Sequence, residues 1–133
     1  SILIEEIAQP QRARGVLEAA VRALSRLDTP APLQKSYALS MLSHCLLESG
    51  LVEAAEKAAR EARLLAETAL PPGHPLFVYA DAMRAGALLR QNRFAEARDL
   101  LKPIVAAGDA KPAQSWREAR ARDYWAALPQ RFR

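Results

Sequence analysis

The chain has 133 residues, half of them hydrophobic, which is enough for one domain with a buried core. Its formal net charge is +4, and its single cysteine, Cys45, excludes an internal disulfide framework. No apolar run approaches the roughly 18 residues that a membrane helix needs. We therefore expect one domain over residues 1–133 in the cytoplasm, without a membrane segment. Because the chain begins with Ser1, we expect the natural protein to extend upstream.

The amino-acid usage favours an all-α protein. Ala, Leu, Arg and Glu dominate, and the chain has only 5 Gly. Helix formers in this proportion are typical of helical domains. Arg far outnumbers Lys, which indicates a GC-rich bacterial gene.

A six-residue phrase repeats along the chain. GVLEAA at 15–20 returns as GLVEAA at 50–55, and a weaker copy, NRFAEA, lies at 92–97. The spacings of 35 and 42 residues fall in the range that marks solenoids of stacked helical pairs. In each copy, Gly or Asn is expected to end one helix in the left-handed conformation just before a second helix begins. The predicted repeats are about 1–34, 35–75 and 76–110.

In the first unit, helix A is predicted around Ile4 and Ile7. Pro10 is expected to kink or shorten it, because proline lacks the amide donor that a helix needs. After a turn at Gly15, helix B carries apolar residues at spacings of three and four, namely Leu17, Ala20, Leu24 and Leu27. The segment 28–32 is expected to end this helix.

In the second unit, helix A carries Leu39, Leu42, Ser43 and Leu46. Helix B is rich in alanine and is predicted to reach Leu70, where the proline-rich segment 71–75 stops it. His74 precedes a proline at the start of the next helix, so we interpret it as a capping residue.

In the third unit, helix A is predicted over about 76–90. Helix B begins near Phe94, and Pro103 inside it predicts a kink or an early end near Leu101. A last helix over about 112–128 is expected to cap the apolar face of the final pair.

These units resemble the tetratricopeptide repeat (TPR), whose pattern combines small residues at helix crossings, a glycine at the turn and large apolar residues. The matching residues are Ala8, Gly15, Leu17, Ala20, Leu24, Leu27 and Pro32, then Leu39, Leu42, Ser43, Leu46, Gly50, Val52, Ala55 and Ala59, then Ala85, Leu88, Asn92, Phe94, Ala97 and Leu101. The second junction is similar to the 42-residue variant of kinesin light chains and bacterial regulators, with Pro-Gly-His-Pro at 72–75 and Arg-Phe-Ala-Glu-Ala at 93–97. Asp81 and Arg84 depart from the pattern, because they stand where helix A should be apolar.

The resemblance implies a right-handed α-α superhelix of about three TPR helical pairs plus a C-terminal capping helix. It also implies a non-catalytic protein–protein interaction scaffold or adaptor, as the C-terminal part of a larger bacterial protein. In this family helix A of each unit lines a concave groove, which would bind a peptide or a partner domain. Carried over residue by residue, the groove positions are Ile2, Glu5, Gln9 and Arg12, then Tyr37, Ser40, His44, Leu47 and Glu48, then Tyr79, Ala82, Gly86, Leu89 and Arg90.

Two tyrosines stand out among these positions. Tyr37 and Tyr79 are equivalent residues of successive units, and an aromatic ring with a hydroxyl suits contact with a peptide. Packing between helices is the other interpretation of both. The segment 128–133 is short enough to occupy the groove, so the sequence leaves open whether the groove is empty or filled.

No catalytic residue, metal site or cofactor is predicted. A Gly-rich phosphate loop, a His-Glu-x-x-His motif and a nucleophile elbow are all missing from the sequence. His44 and Cys45 point about 100° apart on a helix, so they are poorly placed to bind one ion. We interpret Cys45 as a small buried hydrophobe. The carboxylate clamp of some TPR grooves is not expected, since His44, Ala82 and Gly86 stand where its cationic or amide groups would be needed.

The net positive charge is concentrated near the C-terminus. Residues 1–110 hold 13 basic and 13 acidic side chains, whereas residues 111–133 hold 6 basic and 2 acidic ones. The alternative function is therefore nucleic-acid binding through this basic tail, with Trp116, Tyr124, Trp125 and Phe132 as stacking residues. An ordinary solvated helix face is the simpler interpretation. A homodimer through the apolar N-terminal residues Ile2, Ile4 and Ile7 is a further prediction.

Overall fold

The computed structural model describes residues 2–28, 30–108 and 116–133. These residues form six α-helices and a final 3₁₀ turn, without a β-strand among them, so the predicted all-α class is confirmed. The helices are α1 (Ile2–Ser25), α2 (Pro32–Glu48), α3 (Val52–Glu67), α4 (Pro75–Arg90), α5 (Phe94–Gly108) and α6 (Trp116–Ala127), and the 3₁₀ turn is Gln130–Phe132. None of the described helices combines the length and the apolar character that crossing a membrane requires.

The helices pack in chain order. Each helix contacts the next one, and α4 also contacts α2 and α6. Contacts between neighbours and next-but-one neighbours are what a stack of helical pairs produces. The stack therefore places α2, α4 and α6 in succession, and this succession positions the candidate site.

The two hairpins α2–α3 and α4–α5 turn at the residues that the repeated phrase predicts. Gly50 has a φ of 80° and Asn92 a φ of 58°, so both lie in the left-handed region. The amide of the residue after each one donates to the carbonyl five positions back, Leu46 and Leu88 respectively, both at 2.9 Å. This bond belongs to the Schellman motif, which satisfies carbonyls at a helix end. The two turns are thus the same structure 42 residues apart.

The turn predicted at Gly15 is wrong, and one continuous helix, α1, replaces the first helical pair. α1 passes through both Pro10 and Gly15. Glycine permits a left-handed turn without imposing one, and here the ion pair between Arg14 Nε and Glu18 Oε1 (2.7 Å) spans Gly15 along the helix surface. Of the first-unit groove and dimer candidates, the side chains of Ile2, Ile4, Glu5, Ile7 and Gln9 lie outside the described residues, and Arg12 is exposed.

The ends of the later helices differ slightly from the predictions. α3 ends at Glu67 rather than at Leu70. His74 caps α4 as predicted, because its Nδ1 accepts a hydrogen bond from the Leu76 amide at 3.2 Å. α6 is described from Trp116 onward, and the earlier start expected near residue 112 lies outside the described residues.

Pro103 predicts a kink or an early end near Leu101, and of these two outcomes the early end is wrong. The helix continues to Gly108. Leu101 is fully buried and Ile104 packs against the same core cluster. Burial of apolar side chains on both sides of the proline offsets the one backbone bond that it removes.

Alanines allow α3 to lie close to its neighbours. The buried ones are Ala55, Ala58, Ala59, Ala62 and Ala66. Two serines of α2 use this proximity, since Ser36 Oγ donates to the Ala62 carbonyl (2.7 Å) and Ser43 Oγ donates to the Ala55 carbonyl (2.6 Å). These buried bonds fix α2 against α3, where larger side chains on α3 would hold the backbones apart.

The two polar residues of α4 that depart from the TPR pattern are paired with α3. Asp81 accepts a hydrogen bond from Arg63. Arg84 Nε lies 3.6 Å from a carboxylate oxygen of Glu56. The departures are therefore ion pairs that join the second hairpin to the first.

We expect Asp81 to make the protein less stable as the pH rises from about 4 to 6. Burial raises the pKa of its carboxyl from 3.8 to about 6, against the attraction of Arg63 and Arg84. Between these values the folded chain retains a proton that the unfolded chain has lost, so the free energy of unfolding falls with rising pH. Urea denaturation of the wild type and of Asp81→Asn should show the variant gaining stability relative to the wild type across this window. A difference that does not change with pH would contradict the assignment.

Candidate partner-binding groove

The predicted groove positions of α2 and α4 lie together in the structure, and we call their surface the groove. Its members are Tyr37, Ser40, His44, Leu47, Glu48, Tyr79, Ala82, Gly86, Leu89 and Arg90. The Tyr37 and Tyr79 rings meet edge to face, with centroids 6.0 Å apart. Arg90 Nη1 donates to the Leu47 carbonyl at 2.7 Å. Tyr37 and Tyr79, which are 42 residues apart in the chain, thus lie side by side.

Side chains of α6 cover the groove. The Trp116 indole stacks on the His44 ring, with centroids 5.3 Å apart and planes 24° apart, and it meets the Tyr79 ring edge to face at 5.2 Å. Arg120 Nη1 lies 3.6 Å from a Glu48 carboxylate oxygen. Although α6 packs its backbone beside α4 and α5, it therefore reaches α2 through long side chains.

The guanidinium of Arg117 lies among aromatic rings. Its Cζ is 4.6 Å from the ring centroid of Tyr79, 5.2 Å from that of Trp116 and 5.9 Å from that of Tyr37. Its Nε is buried and has no hydrogen-bond partner among the described residues. This part of the guanidinium therefore interacts with its surroundings through cation–π attraction to the rings.

Half of the predicted groove residues are buried in the folded chain. Ser40, Leu47, Tyr79, Ala82 and Gly86 are buried, His44 and Leu89 are half-buried, and Tyr37, Glu48 and Arg90 are exposed. A partner can reach Tyr37 and Glu48 directly, but Tyr79 and Gly86 only if α6 moves. The role of these ten residues in binding stays a prediction.

The segment that covers the groove is α6 and not the final residues of the chain. Leu128 is buried in the second core cluster, and the Phe132 ring packs against Phe94 of α5 at 5.4 Å. Residues 128–133 therefore lie along α5. The suggestion that they fill the groove is wrong, because their apolar side chains find partners at the end of the stack.

Burial controls the ionisation of the groove residues. It raises the pKa of Tyr79, and neighbouring Tyr37 adds to the effect, so the Tyr79 hydroxyl stays neutral. Burial also lowers the pKa of His44; the carboxylate of Glu48 opposes this shift and the guanidinium of Arg120 adds to it. At neutral pH the imidazole is therefore uncharged, and the charged groups that remain are Glu48 and Arg90 of the groove with Arg117 and Arg120 of α6.

The contact of α6 with the groove does not follow from the sequence. The sequence predicts a capping helix and, in the alternative function, nucleic-acid stacking by Trp116 and Tyr124, and it counts the arginines of residues 111–133 only as part of the basic tail. One signal was available in Gly86, a glycine inside a helix without a turn to explain it. A Cβ at this position would lie 2.6 Å from Cζ of Tyr124, so the missing side chain makes room for the ring.

We expect Ser40→Ala to stabilise the protein by about 1 kcal/mol and Ser43→Ala to destabilise it by about 1 kcal/mol. Both serines are on α2 and fully buried. Ser43 Oγ donates to a carbonyl of α3, whereas Ser40 Oγ has no partner among the described residues. Removing an unsatisfied buried hydroxyl removes a desolvation cost, and removing a bonded one loses a buried hydrogen bond between α2 and α3. Urea denaturation of the two variants will measure this, and equal effects would contradict it.

The groove offers aromatic faces, a carboxylate and a neutral imidazole, which are binding groups. In the part of the chain that the structure describes, no group of three or more His, Cys, Asp and Glu side chains is placed to hold a metal ion. Burial raises the pKa of the Cys45 thiol, which disfavours the reactive thiolate at neutral pH. Comparison of the chain with protein-family models, with curated proteins and with solved structures found no match.

Proposed function

We propose that the protein is a tetratricopeptide-like, non-catalytic interaction module of a bacterial cytoplasmic protein, and that its groove binds a segment of a partner protein. The two hairpins with equivalent Schellman turns at Gly50 and Asn92 support the repeat assignment. The repeat assignment matters for function because a stack of such units presents the same helix face again and again on one side.

The observation that carries the proposal is the composition of the groove. Tyr37 and Tyr79 from successive repeats form one aromatic surface, with the carboxylate of Glu48 on the same face of α2. Tyrosines are enriched at binding hot spots because a rigid ring gives large contact area at little entropic cost. Tyr37 remains 42% exposed although α6 covers its neighbours, so a partner has a starting point for contact.

Site-specific photo-crosslinking tests the proposal. Tyr37 is replaced with p-benzoylphenylalanine in cells that produce the protein, and Leu64 of α3, which is 59% exposed, serves as the matched control position. We expect a discrete polypeptide adduct from position 37 that position 64 does not give. Identical adducts from both positions, or none from position 37, would contradict the proposal.

Nucleic-acid binding is not proposed, because the structure engages part of the basic tail elsewhere. Arg117 contacts aromatic rings and Arg120 faces Glu48, so two of the six basic residues of 111–133 are directed to the groove. An adduct between position 37 and nucleic acid in the same experiment would favour the alternative over the protein-binding proposal.

A further inference from the structure

The way in which α6 covers the groove indicates what kind of segment the groove accepts. We propose that the external partner is a basic aromatic helix that reproduces the groove-facing side of α6, an inference that rests on the proposed function and specifies its partner. In α6 this side consists of Trp116, Arg117, Arg120 and Tyr124. The partner pattern is therefore an aromatic residue at position i, Arg at i+1 and i+4, and an aromatic residue at i+8.

These four positions form one face of a helix. At about 100° per residue, positions i, i+1, i+4 and i+8 fall within an arc of about 100°. Helices that dock in grooves are recognised through such an arc of anchor residues. A partner needs this spacing and no further similarity to α6.

The first anchor is the arginine of the aromatic cluster. Arg117 has three ring centroids within 6 Å, those of Tyr37, Tyr79 and Trp116, and two of these rings belong to the groove itself. A planar guanidinium stacks on aromatic rings and is more weakly hydrated than an ammonium group, so this position among the three rings favours Arg over Lys. The buried Nε without a partner shows that the rings, and not a carboxylate, hold this part of the side chain.

The second anchor is the ion pair between Glu48 and Arg120. The two side chains are 42% and 36% exposed and their charged atoms lie 3.6 Å apart. A pair this exposed contributes little to stability, but it fixes which cation stands opposite the carboxylate and thereby sets the register.

The third anchor is an aromatic ring against Gly86. The Tyr124 ring lies where a Cβ of residue 86 would be, with three of its atoms within 2.9 Å of that point. Any side chain at position 86 would close this seat. The group that fits this space is a flat aromatic ring about two helical turns after the first aromatic residue of the pattern.

α6 is a short helix with little buried surface of its own. α6 has 12 residues, and Ala121 is its one buried residue. Isolated helices of this length are marginally stable in water. α6 is also tethered, which raises its effective concentration at the groove, so a partner helix with the same anchors can compete with it once the α6 anchors are weakened.

Peptide binding to the full chain tests the inference. The probe is a fluorescein-labelled peptide with the sequence of residues 114–130, and affinity is read from fluorescence anisotropy. Arg120→Glu in the chain places two carboxylates opposite each other and weakens internal α6, so we expect it to bind the peptide about fivefold more tightly than the wild type does. Arg133→Glu, an exposed residue with the same charge change, is the control and should bind as the wild type does. Equal affinity of the two variants would overturn the inference.

Exchanging the charges of residue 48 in the chain and residue 120 in the peptide shows whether partial unfolding explains the tighter binding. The Glu48→Arg chain should lose affinity for the wild-type peptide and gain affinity for a peptide that carries Arg120→Glu. A disordered chain would not discriminate between the two peptides. A peptide that carries Arg117→Lys should bind less tightly than the wild-type peptide, and one with Arg117→Ala should bind least. Indifference to both changes would overturn the role of the aromatic cluster.

The two proposals fail in different ways. If position 37 crosslinks to a polypeptide but the peptide does not bind to the Arg120→Glu chain, the groove is a binding site and the basic-helix pattern is wrong. The other outcome is that the chain distinguishes the wild-type peptide from the Arg120→Glu peptide as expected, but position 37 gives no polypeptide adduct in cells. In that case the contacts of α6 with the groove are correctly described and the proposed cellular function is wrong.

Discussion

Replacing Gly86 with leucine is expected to lower the free energy of unfolding by about 3 kcal/mol and to displace α6. A Cβ at position 86 would lie 2.6 Å from Cζ, 2.7 Å from the hydroxyl oxygen and 2.9 Å from Cε2 of Tyr124. Contacts this short do not occur, so the ring and the helix that carries it must move. Leucine has a helix propensity about 0.8 kcal/mol better than that of glycine, so propensity alone predicts the opposite sign. Urea denaturation measures the stability, and the near-ultraviolet circular dichroism of Trp116 and Trp125 reports the displacement of α6.

Gly15→Leu is the matched control for this substitution. Gly15 also lies inside a helix, but a Cβ there would meet nothing within 4 Å. We expect it to stabilise the protein by about 0.8 kcal/mol through helix propensity. The control also tests α1, since a left-handed turn at Gly15 would make leucine destabilising.

The double variant Gly86→Leu with Tyr124→Ala isolates the contact. Without the ring the leucine has room, so its effect should change from destabilising to neutral or stabilising. A coupling free energy of this kind is what a double-mutant cycle measures. Equal effects of Gly86→Leu with and without the ring would contradict the close approach of α6 to α4.

The repeated phrase predicted the parts of the fold that depend on local structure. Gly50 and Asn92 end their helices as expected because a left-handed residue and a Schellman motif are decided within a few residues. The same reasoning failed at Gly15, where the phrase is present and the helix continues. The difference is tertiary, because α2, the helix before Gly50, packs against α3, whereas among the described helices α1 packs against α2 alone.

The groove could be predicted only in part. The resemblance to the repeat family implies that Tyr37, His44 and Glu48 share one face of α2, and in the structure side chains of α6 contact all three. The approach of α6 depends on the curvature of the whole stack, which decides whether a side chain such as Arg120 can reach from the last helix to α2. Spacing along one sequence does not contain that curvature. The buried state of Tyr79 was for this reason not predictable from its own repeat.

Replacing Glu56 with leucine is expected to cost about 2 to 3 kcal/mol of unfolding free energy, because this carboxylate holds the two hairpins together. Its side chain is 7% exposed and lies on α3. One oxygen accepts hydrogen bonds from Arg93 Nη1 at 2.8 Å and from Gln91 Nε2 at 3.2 Å, and the other lies 3.6 Å from Arg84 Nε. These three partners lie in α4 and the turn that follows it, so leucine would leave the cations of one hairpin without the anion of the other.

Because the contribution of Glu56 comes from its charge, we expect it to depend on pH. A contribution from packing alone would not. Burial by itself would raise the pKa of Glu56, but the hydrogen bond from Gln91 and the charges of Arg93 and neighbouring arginines outweigh it and hold the pKa below its usual 4.5. A depressed pKa means that the stabilisation is fully present above about 4.5 and is lost as the pH falls through the folded-state pKa. The difference in the free energy of unfolding between the wild type and Glu56→Gln should therefore become smaller as the pH falls. The pH dependence has the opposite sign to that of Asp81, whose contribution to stability falls as the pH rises.

Glu53 is the control that distinguishes the loss of the Glu56 contacts from the loss of a negative charge on α3. It lies on the same helix one turn earlier and is exposed, so Glu53→Leu should change stability by less than about 0.5 kcal/mol. Similar losses for Glu53→Leu and Glu56→Leu, measured by urea denaturation, would mean that the hairpins are joined by apolar packing alone. A large loss confined to Glu56 would instead make the turn residues Gln91 and Arg93 the polar link between the two hairpins, because they are the groups whose partner has been removed.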